Sequence, residues 1–250
     1  SSVLLAGDYA YKLKRPVDLG FVDFSMLARR RYFCEEEVRL NRRSAPDLYL
    51  GVVPITRSRD GASLCVDGEG TPVDYAVRMR RFAREACLDQ MAQRGTLHAP
   101  LIDQLAEAIA AFHRCCDSAP SDRTLGTPDE IRRWTMDNLS ELQRLTPITS
   151  QRQRIERLAR WTEVEFARRA LVFAERRAAG CVRECHGDLH LGNLVLIKGQ
   201  PVLFDCIDFN PQLRFIDVMS DVAFTWIDLI DHQLPRLAWR FLNGYLEATG

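Results

Sequence analysis

The sequence predicts an α+β protein of two lobes, a small β-rich lobe over residues 1–80 and a larger helical lobe over 81–250. Three observations carry this prediction. Period-two apolar patterns crowd into the first 80 residues, and spacings of three and four dominate after about residue 81. One stretch, 181–210, interrupts the helical part with a strand–turn–strand pattern. A chain of 250 residues can bury two cores, and 46% hydrophobic with 27% charged residues is the balance of a globular protein.

In chain order, "DYAYKLK" alternates as a strand and is ended by Pro16. "SMLARRRYFCEEEVRLNRRSA" reads as a helix, with Leu27, Tyr32, Val38 and Leu40 among its apolar positions, stopping before Pro46. "LYLGVVPI", "SLCVD" and "VDYAVRM" are three short strands, joined by the turn-rich "TRSRDGA" and "GEGTP". The basic run "RMRRFAR" at 78–84 has acidic residues nearby and reads as a solvated helix face. "LIDQLAEAIAAFHRCC" sets Leu101, Leu105, Ile109, Phe112 and Cys116 on one helical stripe. Residues 152–178 are rich in Arg and Glu, with apolar Ile155, Leu158, Trp161 and Leu171, which predicts a surface helix packed by one face. "NLVLIKGQPVLFD" predicts a β-hairpin turning at Lys198–Gly199. The helical runs "DVAFTWIDLI" and "LPRLAWRFLNGYLEATG" follow it.

Composition removes several classes of function. Net charge is formally zero, so no global field recruits nucleic acid or anionic lipid. No apolar run approaches the ~18 residues of a membrane span, and the opening "SSVLLAGDYAYKLK" lacks the features of a secretory signal. Eight cysteines without a C-x-x-C pair suit free thiols in a reducing cytoplasm. Of 34 basic residues, three are lysine: Lys12, Lys14 and Lys198. Two of them share one strand in a chain that otherwise uses arginine, which draws attention to that strand.

The stretch richest in chemistry is "CHGDLHLGNL", 185–194. As a metal site, His186, Asp188 and His190 would share one face of a strand, but the nearby Cys181 and Cys185 do not give a usual zinc spacing. A nucleophilic triad would need a Ser or Cys on a Gly-flanked elbow, which is missing. A plain Gly-containing loop with satisfied polar groups is the reading without chemistry. Phosphoryl transfer uses every residue: it needs a carboxylate for the attacking hydroxyl and a neutral oxygen for a metal, and Asp188 and Asn193 supply them five residues apart. A further metal ligand is then required on the following hairpin, where "PVLFDCIDF" offers Asp205 and Asp208.

"HGDLHLGN", "LFDCIDF" and "IDVMSDVAF" resemble the aminoglycoside phosphotransferase family, which has a two-lobed protein-kinase-like fold. The segments "GDYAYKLKRPVDLGFVDFS", "RRRYFCEEEVRLNRR" and "LYLGVVPI" are similar to the kinase-like region of a bacterial group often joined to a P-loop ATPase region. The resemblance implies ATP and Mg²⁺ in the cleft between lobes and a small-molecule hydroxyl as acceptor. It assigns Asp188 as catalytic base, Asn193 as metal ligand and His186 as a structural loop histidine. It makes Lys12 the phosphate-gripping lysine, with Lys14 as alternative, and Glu37 its helix partner, leaving Glu35 and Glu36 to solvent. Asp205 is favoured over Asp208 as main metal ligand, on its spacing from Asp188. Asp217 and Asp221 are expected to cap a helix and brace the loop.

Three departures from the family pattern stand beside this. No G-x-G-x-x-G precedes the lysine strand, and the strand before it is expected to lie outside the chain; the fold is expected to continue past "LEATG" as well. No P-loop sequence is present, so a partner ATPase domain would lie outside this chain. Gly187 stands where protein kinases carry Arg, which removes the cation that activation-loop phosphorylation acts through. The alternative function is a nucleotide-binding regulatory module with little turnover. A kinase acting on proteins is a second rival, but no peptide-docking signature is present. The adenine is expected near "AVRMRRF", 76–82.

Overall fold

The protein is described here by a computed structural model, covering residues 1–250 apart from 19, 21, 59, 60 and 62. Five strands come first: β1 (Ser2–Ala6), β2 (Tyr9–Leu13), β3 (Tyr49–Arg57), β4 (Leu64–Val66) and β5 (Pro72–Arg80), with helix α1 (Leu27–Asn41) between β2 and β3. They form one antiparallel sheet in the order β1-β2-β5-β3-β4. The strand expected to be missing is therefore present as β1. It joins β2 through Gly7 and Asp8, with Gly7 in the left-handed region at φ 56°. The join "TRSRDGA" falls partly outside the described residues, and "RMRRFAR" begins on β5 and is not a helix.

Alternation along β2 puts Ala10 and Lys12 on the face covered by α1, with Lys14 just beyond the strand end, while Tyr11 and Leu13 turn to the opposite face. Helix α1 answers with Cys34 and Val38, packed beside Ala10, Val77 and Met79. Tyr32 breaks the expected pattern: it is exposed and packs edge-on against Phe33. The helix instead buries polar groups that have partners. Arg30 donates to Asp74 and to the carbonyls of Phe24 and Ser25, and Asn41 donates to the Glu37 carbonyl.

The rest is mainly helical: α2 (Leu88–Gln93), α3 (Ala99–Cys115), α4 (Pro128–Leu145), α5 (Thr149–Ala178), α6 (Pro211–Arg214), α7 (Val218–Asp231) and α8 (Pro235–Thr249). Short strands β6 (Val182–Glu184) and β9 (Phe215–Asp217) pair with each other, and β7 (Leu194–Ile197) pairs with β8 (Gln200–Leu203). The stripe on α3 buries Leu101, Leu105, Ile109 and Phe112 against Phe241 and Tyr245 of α8 and the loop residues Leu189 and Leu191. The β7–β8 hairpin turns at Lys198 and Gly199, both with positive φ, as a tight two-residue turn demands. Helix α5 departs from expectation. Leu158, Trp161 and Leu171 are exposed, and Thr162 is its one buried residue among those described. Among the described residues no helix is long and apolar enough to cross a membrane.

Candidate active site

The loop from Cys185 to Asn193 leaves β6 and is held from below. Asp221, fully buried on α7, accepts the backbone N–H of His186 at 2.7 Å and of Gly187 at 2.8 Å. Its carboxylate also meets His113 at 3.2 Å, and His113 meets the Tyr245 hydroxyl at 2.9 Å. Burial alone would raise the Asp221 carboxyl; His113 and the loop amides overrule it and hold it below the usual range. Thr225 donates to the Leu189 carbonyl, and Asp228 accepts the Leu191 N–H at 2.7 Å. Asp217 caps α7 by accepting from the Met219 N–H.

Gly187 has a steric reason. Its φ is 86°, and a Cβ there would lie 2.7 Å from the Leu213 carbonyl oxygen. Only glycine fits that approach. His186 is buried, sits 2.8 Å from the Phe204 carbonyl through Nε2, and accepts the Asp188 N–H at Nδ1. Burial lowers its pKa, so it is a neutral tie between loop and hairpin. His186, Asp188 and His190 thus do not converge on a metal, because the His186 ring is committed elsewhere.

Asp188 is half exposed. His190, 3.5 Å away, holds its carboxyl below the ordinary value, and Asp188 in turn raises the His190 imidazole. Asn193 donates its amide to the Asp188 carbonyl at 2.9 Å and to Asp188 Oδ2 at 3.2 Å. The nitrogen of Asn193 is thereby used, and its carbonyl oxygen remains for another partner.

The segment after β8 is fastened by both lobes. Asp205 donates its N–H to the Tyr49 hydroxyl, Cys206 to Asn41 Oδ1, and Ile207 to the His186 carbonyl. Asp205 itself is left-handed at φ 65°. Its carboxylate pairs with Lys12, and the Asp208 carboxylate pairs with Lys14. Glu37 lies between the two lysines: Lys12 is 2.8 Å from Oε1, an ion pair not aligned as a hydrogen bond, and Lys14 donates to Oε2 at 2.6 Å. Burial alone would raise the Glu37 carboxyl, but the lysines prevail and hold it at about 2, while both lysines, despite burial, are raised. Burial pushes the Asp208 carboxyl up in spite of Lys14. The side chain of Asp205 is 42% exposed and that of Asp208 7%, so one end of this chain of charges opens to solvent and the other is closed.

The structure therefore brings Lys12, Lys14, Glu37, Asp205 and Asp208 into one network, and Asp188 with Asn193 into one loop tied to it. Glu36, expected to be solvated, is instead partly buried between Arg39 and Arg214. Those two arginines, with Arg43, also surround Glu184, which links α1 to β6.

A cavity of about 430 Å³ opens beside Asp188, between α4 and the segment 207–217. Ile131, Trp134, Gln212, Phe215 and Phe224 line it, and the Trp134 Nε1–H is buried without a hydrogen-bond partner. Sequence reasoning missed these residues. They come from four separate elements, and no motif marks them.

The chain matches the profile of the Phosphotransferase enzyme family over residues 34–250. Uncharacterized proteins of Mycobacterium tuberculosis and Mycobacterium bovis are 32% identical over 252 residues, which span 99% of this chain and 48% of theirs. The chain thus spans about half the length of these curated relatives. A solved glucosamine kinase superposes with a TM-score of 0.43 at 20% identity, covering 72% of this chain and 53% of that one. With the family match covering Glu37, the Asp188 loop and the hairpin, this chain is a member of the Phosphotransferase enzyme family, the aminoglycoside phosphotransferase group with a two-lobed kinase-like fold.

Proposed function

We propose that the chain transfers the γ-phosphoryl group of Mg²⁺-bound ATP to a hydroxyl of a small molecule held in the cavity beside Asp188. The observation that carries this reading is the half-exposed Asp188 carboxylate, tied to Asn193 on one side and lining the solvent-open cavity on the other. Held below the ordinary carboxyl range, Asp188 is ionised at neutral pH and can accept the hydrogen bond of an incoming hydroxyl, orienting its oxygen. Glu37 positions the Lys12 ammonium at the open end of the charge network, where it would meet phosphate oxygens.

The donor set fits a hard divalent cation. Asp205 offers an accessible carboxylate and Asn193 a free amide oxygen, whereas Asp208 is enclosed with Lys14. Bound Mg²⁺ would supply neutralisation of phosphate charge. The adenine belongs against the connection near residues 76–82, and the free thiols fit a cytoplasmic setting. The regulatory-module reading draws on the Lys12–Asp205 ion pair, which engages the two groups that phosphate and metal would need.

ATP consumption screened against hydroxylated small molecules separates the two readings. The expected result is Mg²⁺-dependent turnover with at least one acceptor, reduced at least ~10²-fold by Asp188→Asn with nucleotide affinity little changed. ATP binding without turnover on any acceptor class would favour the regulatory module.

A further inference from the structure

Helix α5 carries apolar residues on two opposite faces, and only one is covered. Ile155 and Phe166 lie on the side of buried Thr162, toward α4, where Arg132–Glu163 and Gln143–Glu156 hold the two helices together, and Phe173 packs against Phe166. On the other side Trp161, Val164, Leu171 and Val172 are exposed by 61, 65, 78 and 47%. The base of this helical hairpin is fixed by Arg176 to Asp217 and by Arg177 to the carbonyls of Pro120, Arg123 and Leu125. Large apolar side chains exposed together on one face of a helix mark an interaction surface.

The outward positions 157, 161, 164, 168, 171 and 175 are spaced by four and three, as in a coiled-coil seam: Arg, Trp, Val, Arg, Leu, Glu. At ~100° per residue they stay within an arc of about 80°, so a straight helix presents them as one stripe. The stripe is asymmetric in charge, with Arg157 at its N-terminal end and Glu175 at its C-terminal end. Among the described residues neither has an ion-pair partner, although most other charges on this hairpin do.

We propose that this stripe is a homodimer interface, in which two copies of the chain pair their α5 helices antiparallel about a two-fold axis near residue 166. That axis sets Arg157 opposite Glu175 of the second copy at both ends, and Trp161 opposite Leu171 in both apolar layers. Val164 then meets Arg168, whose aliphatic stem covers apolar surface while its charged end stays with Glu165. A parallel pair would set Arg157 against Arg157 and Glu175 against Glu175. The charge order therefore selects the antiparallel, isologous arrangement. A single helix pair is a small interface, so association should depend on concentration in the micromolar range.

Sedimentation equilibrium of this chain, from micromolar to millimolar protein, tests the proposal. Wild type should dimerise. Arg157→Glu alone and Glu175→Arg alone should each weaken association at least ~10-fold, because like charges then face each other at both ends. An equimolar mixture of the two variants should recover it, because the mixed pair restores opposite charges at both ends. Both sites are exposed, and an unchanged melting temperature confirms that folding is intact. A wild type that stays monomeric throughout overturns the proposal and leaves the stripe to another segment or partner. Dimerisation indifferent to the single variants, or not recovered by mixing, overturns it equally.

Discussion

Lys12 with Asp205 and Lys14 with Asp208 are two arms of the same design, with each lysine bound to one oxygen of Glu37 and to one aspartate of the hairpin. The lysines lie two positions apart and the aspartates three. Their surroundings differ completely. The Lys14 arm is closed, with Lys14 lying over the Phe24 ring, while the Lys12 arm ends on an aspartate 42% exposed. A buried pair that needs nothing further is architecture. An exposed pair of the same chemistry can exchange partners with a ligand, and this separates a site from the brace behind it.

The comparison breaks most sharply on metal binding. Asp205→Ala should abolish the Mg²⁺-dependent part of ATP binding in calorimetry with and without the metal, whereas Asp208→Ala should retain a reduced enhancement. If Asp208→Ala is the variant that loses it, the open arm is not the site.

Stability should show the reverse order. Asp208→Ala breaks a buried ion pair and should cost about 3 kcal/mol, the low end for such a loss, because Lys14 keeps Glu37. In a chain of this size that lowers the melting temperature by roughly 6–12 °C. Asp205→Ala should cost less than ~1 kcal/mol, since solvent already screens that arm. Equal melting temperatures for the two variants would contradict the division.

The shared carboxylate predicts acid lability. Glu37 is held at about 2, below its ordinary 4.5, so its stabilisation is complete above pH ~4.5 and is lost as pH falls toward 2. The loss is on the order of 3 kcal/mol. Asp208 works in the opposite sense: raised by burial to about 6 from 3.8, it favours the folded state less as pH climbs through that interval. Denaturant melts of Glu37→Gln between pH 2 and 7 should show a shallower acid-side slope than wild type. A slope unchanged from wild type would show that Glu37 is not held low.

The smallest effect should come from the lysines. Lys12→Ala should weaken ATP binding about tenfold, or ~1.4 kcal/mol, and leaves the buried Glu37 carboxylate with Lys14 as its remaining cation. Lys14→Ala should affect nucleotide less and stability more. The opposite ranking in a nucleotide titration would move the phosphate contact to Lys14.

The loop and the hairpin were legible because their determinants are local. Asp188 and Asn193 lie within one turn of chain, and a Lys–Gly pair between short apolar runs specifies a tight hairpin by itself. Strand β1 was not legible. Three consecutive exposed apolar residues, Val3, Leu4 and Leu5, give no alternation, and only pairing with β2 makes them a strand. Helix α5 was read correctly as a surface helix packed by one face, but of its expected apolar positions Leu158, Trp161 and Leu171 are exposed, since periodicity reports where apolar residues lie and not whether another surface meets them.

By itself the sequence determined the two-lobed α+β class and the Asp188–Asn193 spacing. These follow from helical and strand periods, which are properties of neighbouring residues. The tertiary structure alone decided that Asp205 opens to solvent while Asp208 is sealed, that Glu36 joins the arginines between the lobes, and that Trp134 walls the space beside Asp188. The Lys12–Asp205 and Lys14–Asp208 pairs join residues 193 and 194 positions apart. Exposure at such sites depends on how distant segments pack against each other, and no local pattern of residues carries that information.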